Sequence, residues 1–581
     1  MSRKNKFMPE WIEEAPPEGS YRSVFKWGDP LGFRHPSKGM YRALRDVFGM
    51  SDEDFKTRHK TGFNRVDIGE RPVNIEQKHI EKFKAIVGDG NVTDDDYSRL
   101  YYSTGKTIEE AWELRDGVIR EICDITVHPR NKKEVAEIVA YCHDQRIPIY
   151  VFGGGSSVNF GLRPEKGGIT LVLKTHMNKI VEINEEDRTC TVEAGIFGPA
   201  YEGALNNARE RYNTRYDYTG GHFPQSFEYS SVGGWIVTLS SGQASTYYGD
   251  AYDLILSGEY VTPIGTIMTE DYVHCANGPR VNDIMKGSEG CFGILVEVKM
   301  KIFRHMPRNR FRYGYIFKTW EDAVNASREI CQGEFGLPSV LRISDQEETD
   351  IGLKLYGIDG TILDSALKLL GYKPGSRSLM LGHTEGERKF SRNVRRKIHR
   401  IARKHGAMTI TGYAAKKWEH SRYTDPYLRE DLQDYGIITD TLETSVSWSN
   451  LHQIHKQVRA FAKSRPRTVC MTHASHFYPY GTNLYFIFFA RMDDIDEYRE
   501  FQARLVDEIV KSGGSLSHHH GVGKMLAPWM EHFHGSRNMG IYRALKQYFD
   551  PQGILNPGVQ MGLDDSRDDD PDYRFARRKM K

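Results

Sequence analysis

The sequence has no apolar run near the ~18 residues that a membrane-spanning helix needs. Its opening, MSRKNKFMPEW, carries no apolar core of the kind found in a secretory signal, and its end does not read SKL or a close variant. Its seven cysteines, at 123, 142, 190, 275, 291, 331 and 470, form no CxxC pair and no zinc spacing. An odd, scattered set of that kind fits a reducing compartment. An excess of one charge is also missing. Eighty Lys and Arg stand against 78 Asp and Glu, a net of +2, which is not the footprint of a dedicated nucleic-acid binder. The expectation is a protein of the cytoplasm, with the inner membrane surface as a place of contact.

Two phosphate-binding fingerprints are absent as well. Counting from Gly153, the sixth position is Val158, where a Rossmann loop needs glycine. GVGK at 521–524 is followed by Met525, and the glycine needed before it is His518, so no Walker loop is present.

Glycine, by contrast, is abundant: 55 of 581 residues, against ~7% in an average chain. The glycines come in clusters, GGG at 153–155, GG at 220–221 and 233–234, GSEG at 287–290, GG at 513–514 and GVG at 521–523. Clustering inside a globular chain marks backbone that passes close to something, or turns that need positive φ. PIYVFGGGSSVNFG (148–161) reads as a buried strand running into three residues without Cβ and then two hydroxyls. Several N–H groups can converge there on one anion, with a diphosphate as the natural ligand. A plain tight turn is the other reading.

The chain is too long for one core, which stops growing near ~250–300 residues. Residues 1–115 read as a helical and irregular arm, with helical patterns at Gln77–Ile86 and Thr107–Arg115. Residues 116–306 alternate strands and turns around a helix that Asn131 would cap. Residues 307–515 form a second α/β unit, 516–562 a segment returning to the first, and 563–581 an acidic-then-basic tail expected to be disordered. The basic helical stretch 390–406 reads as a solvated face, or more sharply as a membrane-surface contact.

PxxxxGGGSSV, EAG at 193–195, SVGGW at 231–235, GSEGxxG at 287–293 and DPxxILNPG at 550–558 stand in one order along the chain. In these blocks the sequence resembles the flavin-binding domain of the vanillyl-alcohol-oxidase, or p-cresol-methylhydroxylase, superfamily. The resemblance implies an α+β fold: a two-part FAD-binding domain of the p-cresol-methylhydroxylase type, plus an α/β substrate (cap) domain with an antiparallel sheet. It implies FAD as cofactor, its diphosphate cradled by Gly153, Gly154, Gly155, Ser156 and Ser157. Ser226, Ser230, Ser231, Gly233, Gly234, Thr238 and Ser241 would line the flavin, and Glu289, Gly290, Gly293 and Ile294 would close over it. Some members of the superfamily bind flavin covalently through His or Cys. His222 lies near the lining block, but the expectation is non-covalent FAD.

SGGSLSHHHGVGK (512–524) narrows the resemblance to the alkyldihydroxyacetonephosphate synthase family, flavoenzymes of ether-lipid synthesis. LRISD (341–345), YLREDLQDYGIITDTLETS (427–445), HFYPYGTNLYFIFF (476–489) and KWGDP (26–30) agree with it. The resemblance implies an enzyme that exchanges the acyl group of acyl-dihydroxyacetonephosphate for a long-chain alcohol. Flavin N5 attacks the C1 side of the ketone, the fatty acid leaves and the alcohol adds, with no net redox change. It offers Tyr478 as the proton-exchanging tyrosine, Arg342 and Arg429 as cations, and His518, His519 and His520 as active-site histidines.

The residue types suit that chemistry. Arginine forks match phosphate, and histidines can donate to phosphate or shuttle protons. On an extended segment His518 and His520 would share one face and His519 the other. A metal site is not expected, since no carboxylate or Cys partner is spaced for one. The partners implied are a phosphate-bearing, lipid-like small molecule, peripheral membrane contact and a second copy of the chain. The ending LNPGVQM (555–561) departs from the synthase pattern. An FAD-linked dehydrogenase or oxidase of a 2-hydroxy acid such as D-lactate or glycolate is therefore the alternative. A flavoprotein subunit with a docking role is a third reading.

Overall fold

A computed structural model describes residues 16–29 and 37–562. The tail at 563–581 and Pro30 of KWGDP lie outside the described residues.

The first domain is built on a small sheet in the spatial order Val92–Thr93, Ile125–Val127, Ile169–Val172, Ile149–Phe152. The last three run parallel. Their crossover is the helix Lys132–Gln145, whose first turn is closed by Asn131 accepting from the N–H groups of Lys133 and Glu134. Val135, Ile138, Val139 and Cys142 recur at helical spacing and are all buried against the sheet. A five-stranded antiparallel sheet follows, in the order Ile180–Asn184, Thr189–Glu193, Ile294–Lys301, Ile255–Thr262, Gly265–Met268. The late segment returns here: Ile149 donates to Ile554 and accepts from Asn556, both at 2.8 Å. Residues about four hundred apart in sequence thus extend one sheet.

The second domain carries an antiparallel sheet in the order Met408–Ile410, Phe311–Phe317, Ser378–Thr384, Val340–Ser344, Thr468–Ala474, Gly481–Arg491, Ile437–Ser447. Its side chains alternate between two faces along the strands, with Leu341 reaching both the core and the cavity. Leu341, Ile343, Met380, Ile438, Leu442, Leu484, Phe486 and Phe488 are buried in the core that the helices Trp320–Cys331, Arg388–Lys404, Leu451–Ser464 and Ile495–Lys511 cover. Arg342, Ser344, Leu379, Thr439, Thr441, Met471, His473, Tyr485 and Ile487 face the other way, into a cavity. The period-2 pleat therefore divides this sheet into a dry face and a functional face.

The arm is tied into both domains. Thr107 and Glu110 close a capping box on the helix Ile108–Arg115. The short helix Tyr21–Phe25 and Lys26 insert charged side chains against the helix Leu428–Gln433 of the second domain. In the basic helix Arg388–Lys404, Val394, Ile398 and Ala402 are buried in the cap core, so its apolar stripe is already used.

Candidate active site

One cavity of about 1110 Å³ lies between the domains. Its first wall is the turn after Ile149–Phe152, formed by Gly153, Gly154, Gly155, Ser156 and Ser157. Close packing and backbone conformation demand these glycines. A Cβ on Gly154 would lie 2.3 Å from the Tyr229 carbonyl oxygen and 2.6 Å from Ser230 Cα, and Gly155 has φ +75°. The N–H groups of Gly154, Gly155, Ser156 and Ser157 meet no acceptor among the described residues. That is the donor set a diphosphate needs, so the site fits FAD at this point. Ser157 behaves otherwise than a phosphate donor: its hydroxyl donates to Asn159 Oδ1 and accepts from Gly161 N–H, both at 2.9 Å.

Ser226, Ser230, Ser231, Gly233, Gly234, Thr238 and Ser241 also line the cavity. Ser231 caps the helix Val232–Val237 through Gly234 N–H at 3.2 Å, and Ser230 Oγ accepts from Trp235 Nε1 at 2.6 Å. Gly290, Gly293 and Ile294 lie on the wall with Glu289, whose backbone takes the left-handed value φ 49°. The Glu289 carboxylate accepts from Val522 N–H and Gly523 N–H, both at 2.8 Å. His222 does not line the cavity; it is buried against Trp235, and burial lowers its pKa to about 3.

Arg342 and Arg429 both line the opposite side. Each is already oriented by a carboxylate. Arg342 Nη2 donates to Glu348 Oε1 at 2.6 Å and lies 3.0 Å from His473 Nδ1. Arg429 Nε donates to Glu430 Oε1 at 2.8 Å, and its guanidinium stands 5.4 Å from the Trp27 ring. Trp27, from the arm, is itself part of the cavity wall.

The histidine triplet is not extended. Residues 518–520 form a bend, because the N–H groups of all three turn to one acceptor, Glu443, at 2.7, 3.1 and 3.0 Å. The alternation expected for an extended strand therefore fails. His519 and His520 line the cavity, while His518 and Tyr478 stand directly behind the wall. Tyr478 OH lies 2.8 Å from His518 Nε2 and also donates to Asp250. His518 Nδ1 in turn lies 3.0 Å from His519 Nδ1.

Around them pack residues that sequence reasoning did not single out: Asp250, Glu443, His473, His476 and Tyr485. His476 stacks on His518 at 5.5 Å and holds φ 51°, a left-handed value uncommon for a non-glycine residue. Tyr485 is sandwiched between His473 and His519. The HxxH spacing in HASH (473–476) was the available signal.

Burial governs the charges. It lowers His476 to about 3, takes His519 well below the ordinary imidazole value, helped by His520, and raises Tyr478 with Asp250 adding to the rise. Burial alone would raise Glu443, yet His520, His518 and the loop hydrogen bonds hold it below the carboxylate norm. Glu443, His518 and His519 bring possible ligand atoms within 4.8 Å of one another. Four hydrogen-bond donors already occupy the Glu443 oxygens.

Comparisons with known proteins agree with this architecture. Residues 123–270 match an FAD binding domain family, and residues 306–559 match FAD linked oxidases, C-terminal domain. An alkyldihydroxyacetonephosphate synthase from Dictyostelium discoideum is 31% identical over 540 residues, 90% of this chain and 86% of that one. One from Trypanosoma brucei brucei is 26% identical, covering 93% and 90%. A solved alkyldihydroxyacetonephosphate synthase structure superposes with TM-score 0.76 at 26% identity, over 92% of this chain and 99% of the other. p-Cresol methylhydroxylase, at 16% identity and TM-score 0.62, shares the fold. With its glycine cradle for FAD and this breadth of similarity, the chain belongs to the alkyldihydroxyacetonephosphate synthase family of FAD enzymes.

Proposed function

We propose that the protein exchanges the acyl group of acyl-dihydroxyacetonephosphate for a long-chain alcohol, forming the ether bond of a lipid precursor. One observation carries this reading. A single cavity joins a glycine turn with free amides, two pre-oriented arginines and a histidine cluster linked to Tyr478. It is also lined by Leu353, Leu355, Ile358 and Ile410, apolar enough for a fatty chain.

FAD, which Gly153, Gly154, Gly155 and Ser156 would hold, would supply covalent chemistry at its ring without net redox change. Arg342 and Arg429 hold the substrate phosphate. Their carboxylate partners fix the guanidinium planes before the substrate arrives, so little orientation is left to acquire on binding. Tyr478 stands behind the wall and exchanges a proton with the reacting carbon through His518 and His519. Asp250 on one side and the His518–His519 pair on the other give that proton a path.

The test is the purified, FAD-loaded chain with acyl-dihydroxyacetonephosphate and hexadecanol. Fatty acid should be released in step with ether formation, and anaerobic D-lactate or glycolate should leave the flavin oxidised. Acid precipitation should leave the flavin in the supernatant, as non-covalent FAD requires; His222, the candidate for a covalent link, is off the cavity wall. No fatty-acid release sinks the reading. Bleaching by a 2-hydroxy acid would favour the dehydrogenase alternative, whose likeness is to a glycolate oxidase subunit at 24% identity.

We place the lipid contact at the cavity mouth. Tyr356 and Tyr413 line the cavity yet are 53% and 65% exposed, and on the next helix in the chain, Ile362–Leu369, Ile362 and Leu369 are 90% and 89% exposed. No described helix is long and apolar enough to cross a membrane, so contact here is peripheral. Flotation with anionic liposomes should be lost in the Ile362→Ser, Leu369→Ser double variant. It should survive when the Arg and Lys of the helix Arg388–Lys404 are changed to Gln; the opposite pattern would move the contact to that helix.

A further inference from the structure

A run of backbone N–H groups turned to one side makes an anion site. In the segment 517–520 that site is filled by the chain's own carboxylate. Glu443 Oε1 accepts from Ser517 Oγ at 2.7 Å, from His519 N–H at 3.1 Å and from His520 N–H at 3.0 Å. Its Oε2 accepts from His518 N–H at 2.7 Å. The Glu443 side chain is 1% exposed and stands on the strand Ile437–Ser447 of the cap domain. Two residues past the histidines, Glu289 of the FAD domain takes the N–H groups of Val522 and Gly523. The histidine bend is thus held at each end by a buried carboxylate, one from each domain.

Two consequences follow from the donor count. With its amides engaged, the bend offers the cavity only imidazoles. The four donors also need an acceptor with two anionic oxygens. Glutamine has a single acceptor oxygen and would turn an NH₂ against an N–H.

We propose that Glu443 is a positioning residue, which fixes the turn that sets His518 against Tyr478 and places His519 and His520 on the cavity wall. The inference rests on the proton-exchange reading of Tyr478 above.

The test is Glu443→Gln in the FAD-loaded full chain, with hydrogen exchange over 517–520 and steady-state turnover followed together. Exchange there should quicken by on the order of 10-fold or more, as expected for loss of a charge-assisted hydrogen bond. Flavin content should hold. kcat should fall by about 10²-fold, the cost of misplacing a reacting group by an ångström, with KM within ~3-fold. In a Tyr478→Phe background the same change should cost less than ~3-fold more, because the path is already cut.

Unchanged exchange, an unchanged kcat, or losses that multiply independently of Tyr478 would each overturn the proposal. If Glu443→Gln does not fold, Ser517→Ala decides. It removes one of the four donors and leaves the carboxylate, and should give faster exchange with a smaller fall in kcat; an unmoved kcat overturns the proposal. The two readings separate cleanly. Full activity in Tyr478→Phe brings down the proton-exchange reading, whereas an impaired Tyr478→Phe beside an unaffected Glu443→Gln brings down only the positioning role.

Discussion

Replacing Tyr478 with phenylalanine is expected to lower kcat by roughly 10²–10⁴-fold, the usual worth of a placed proton-transfer group. The substitution is close to isosteric. The ring keeps its stack on Tyr480, with centroids 5.6 Å apart and planes at 17°. Only the hydroxyl that joins Asp250 to His518 is lost. Flavin content should therefore stay near that of the parent, while the unfolding temperature should fall, because the buried Asp250 carboxylate loses its hydroxyl donor. KM should move little, because Tyr478 is not on the cavity wall. Steady-state kinetics on matched, flavin-saturated preparations decide it. A Tyr478→Phe enzyme within about threefold of the parent would leave Tyr478 outside the chemistry, since general acid–base groups are worth far more than that.

How much of this was legible depends on whether the reason for a residue is local. Gly155 could be read because its need is set by the turn itself, at φ +75°, whereas Gly154 is required by the distant Tyr229 carbonyl and was legible only as part of the glycine run. Asn131 could be read because its cap is satisfied within three residues. Asp250 could not, because its meaning comes from Tyr478, which lies 228 residues away. Glu443 lies inside a recognised stretch, yet its role depends on amides 75 to 77 residues on. The histidine triplet shows the limit most clearly. Period-2 alternation is a sound inference for an isolated extended segment, and a single buried carboxylate overrides it. The cap sheet is opaque for the same reason, since Val340–Ser344 lies between two strands that begin at 378 and 468.

The largest expected loss of stability comes from the charges that fasten the arm. Asp434 has a side chain 0% exposed and pairs with Arg22, also 0% exposed, at 3.0 Å, and with Arg115, 5% exposed. Next to it Asp431 pairs with Lys26 at 2.8 Å and with Arg22. Asp434→Ala leaves two buried guanidiniums facing a site stripped of its carboxylate. Breaking such a pair from one side costs about 3–5 kcal/mol, whereas an exposed pair would cost under ~1 kcal/mol. The effect should reach function by a short route. The arm that Arg22 and Lys26 anchor carries Trp27, whose N–H donates to Glu430 and whose ring flanks Arg429. Loosening the arm thus frees the partner that orients Arg429, the arginine proposed to hold phosphate, so KM for the phosphate substrate should rise before kcat falls. Thermal unfolding and limited proteolysis of residues 16–29 check the stability arm, and substrate titration checks the functional one. A variant that melts with the parent and resists protease would mean that the apolar contacts of Val24 and Phe25, both 0% exposed, hold the arm by themselves.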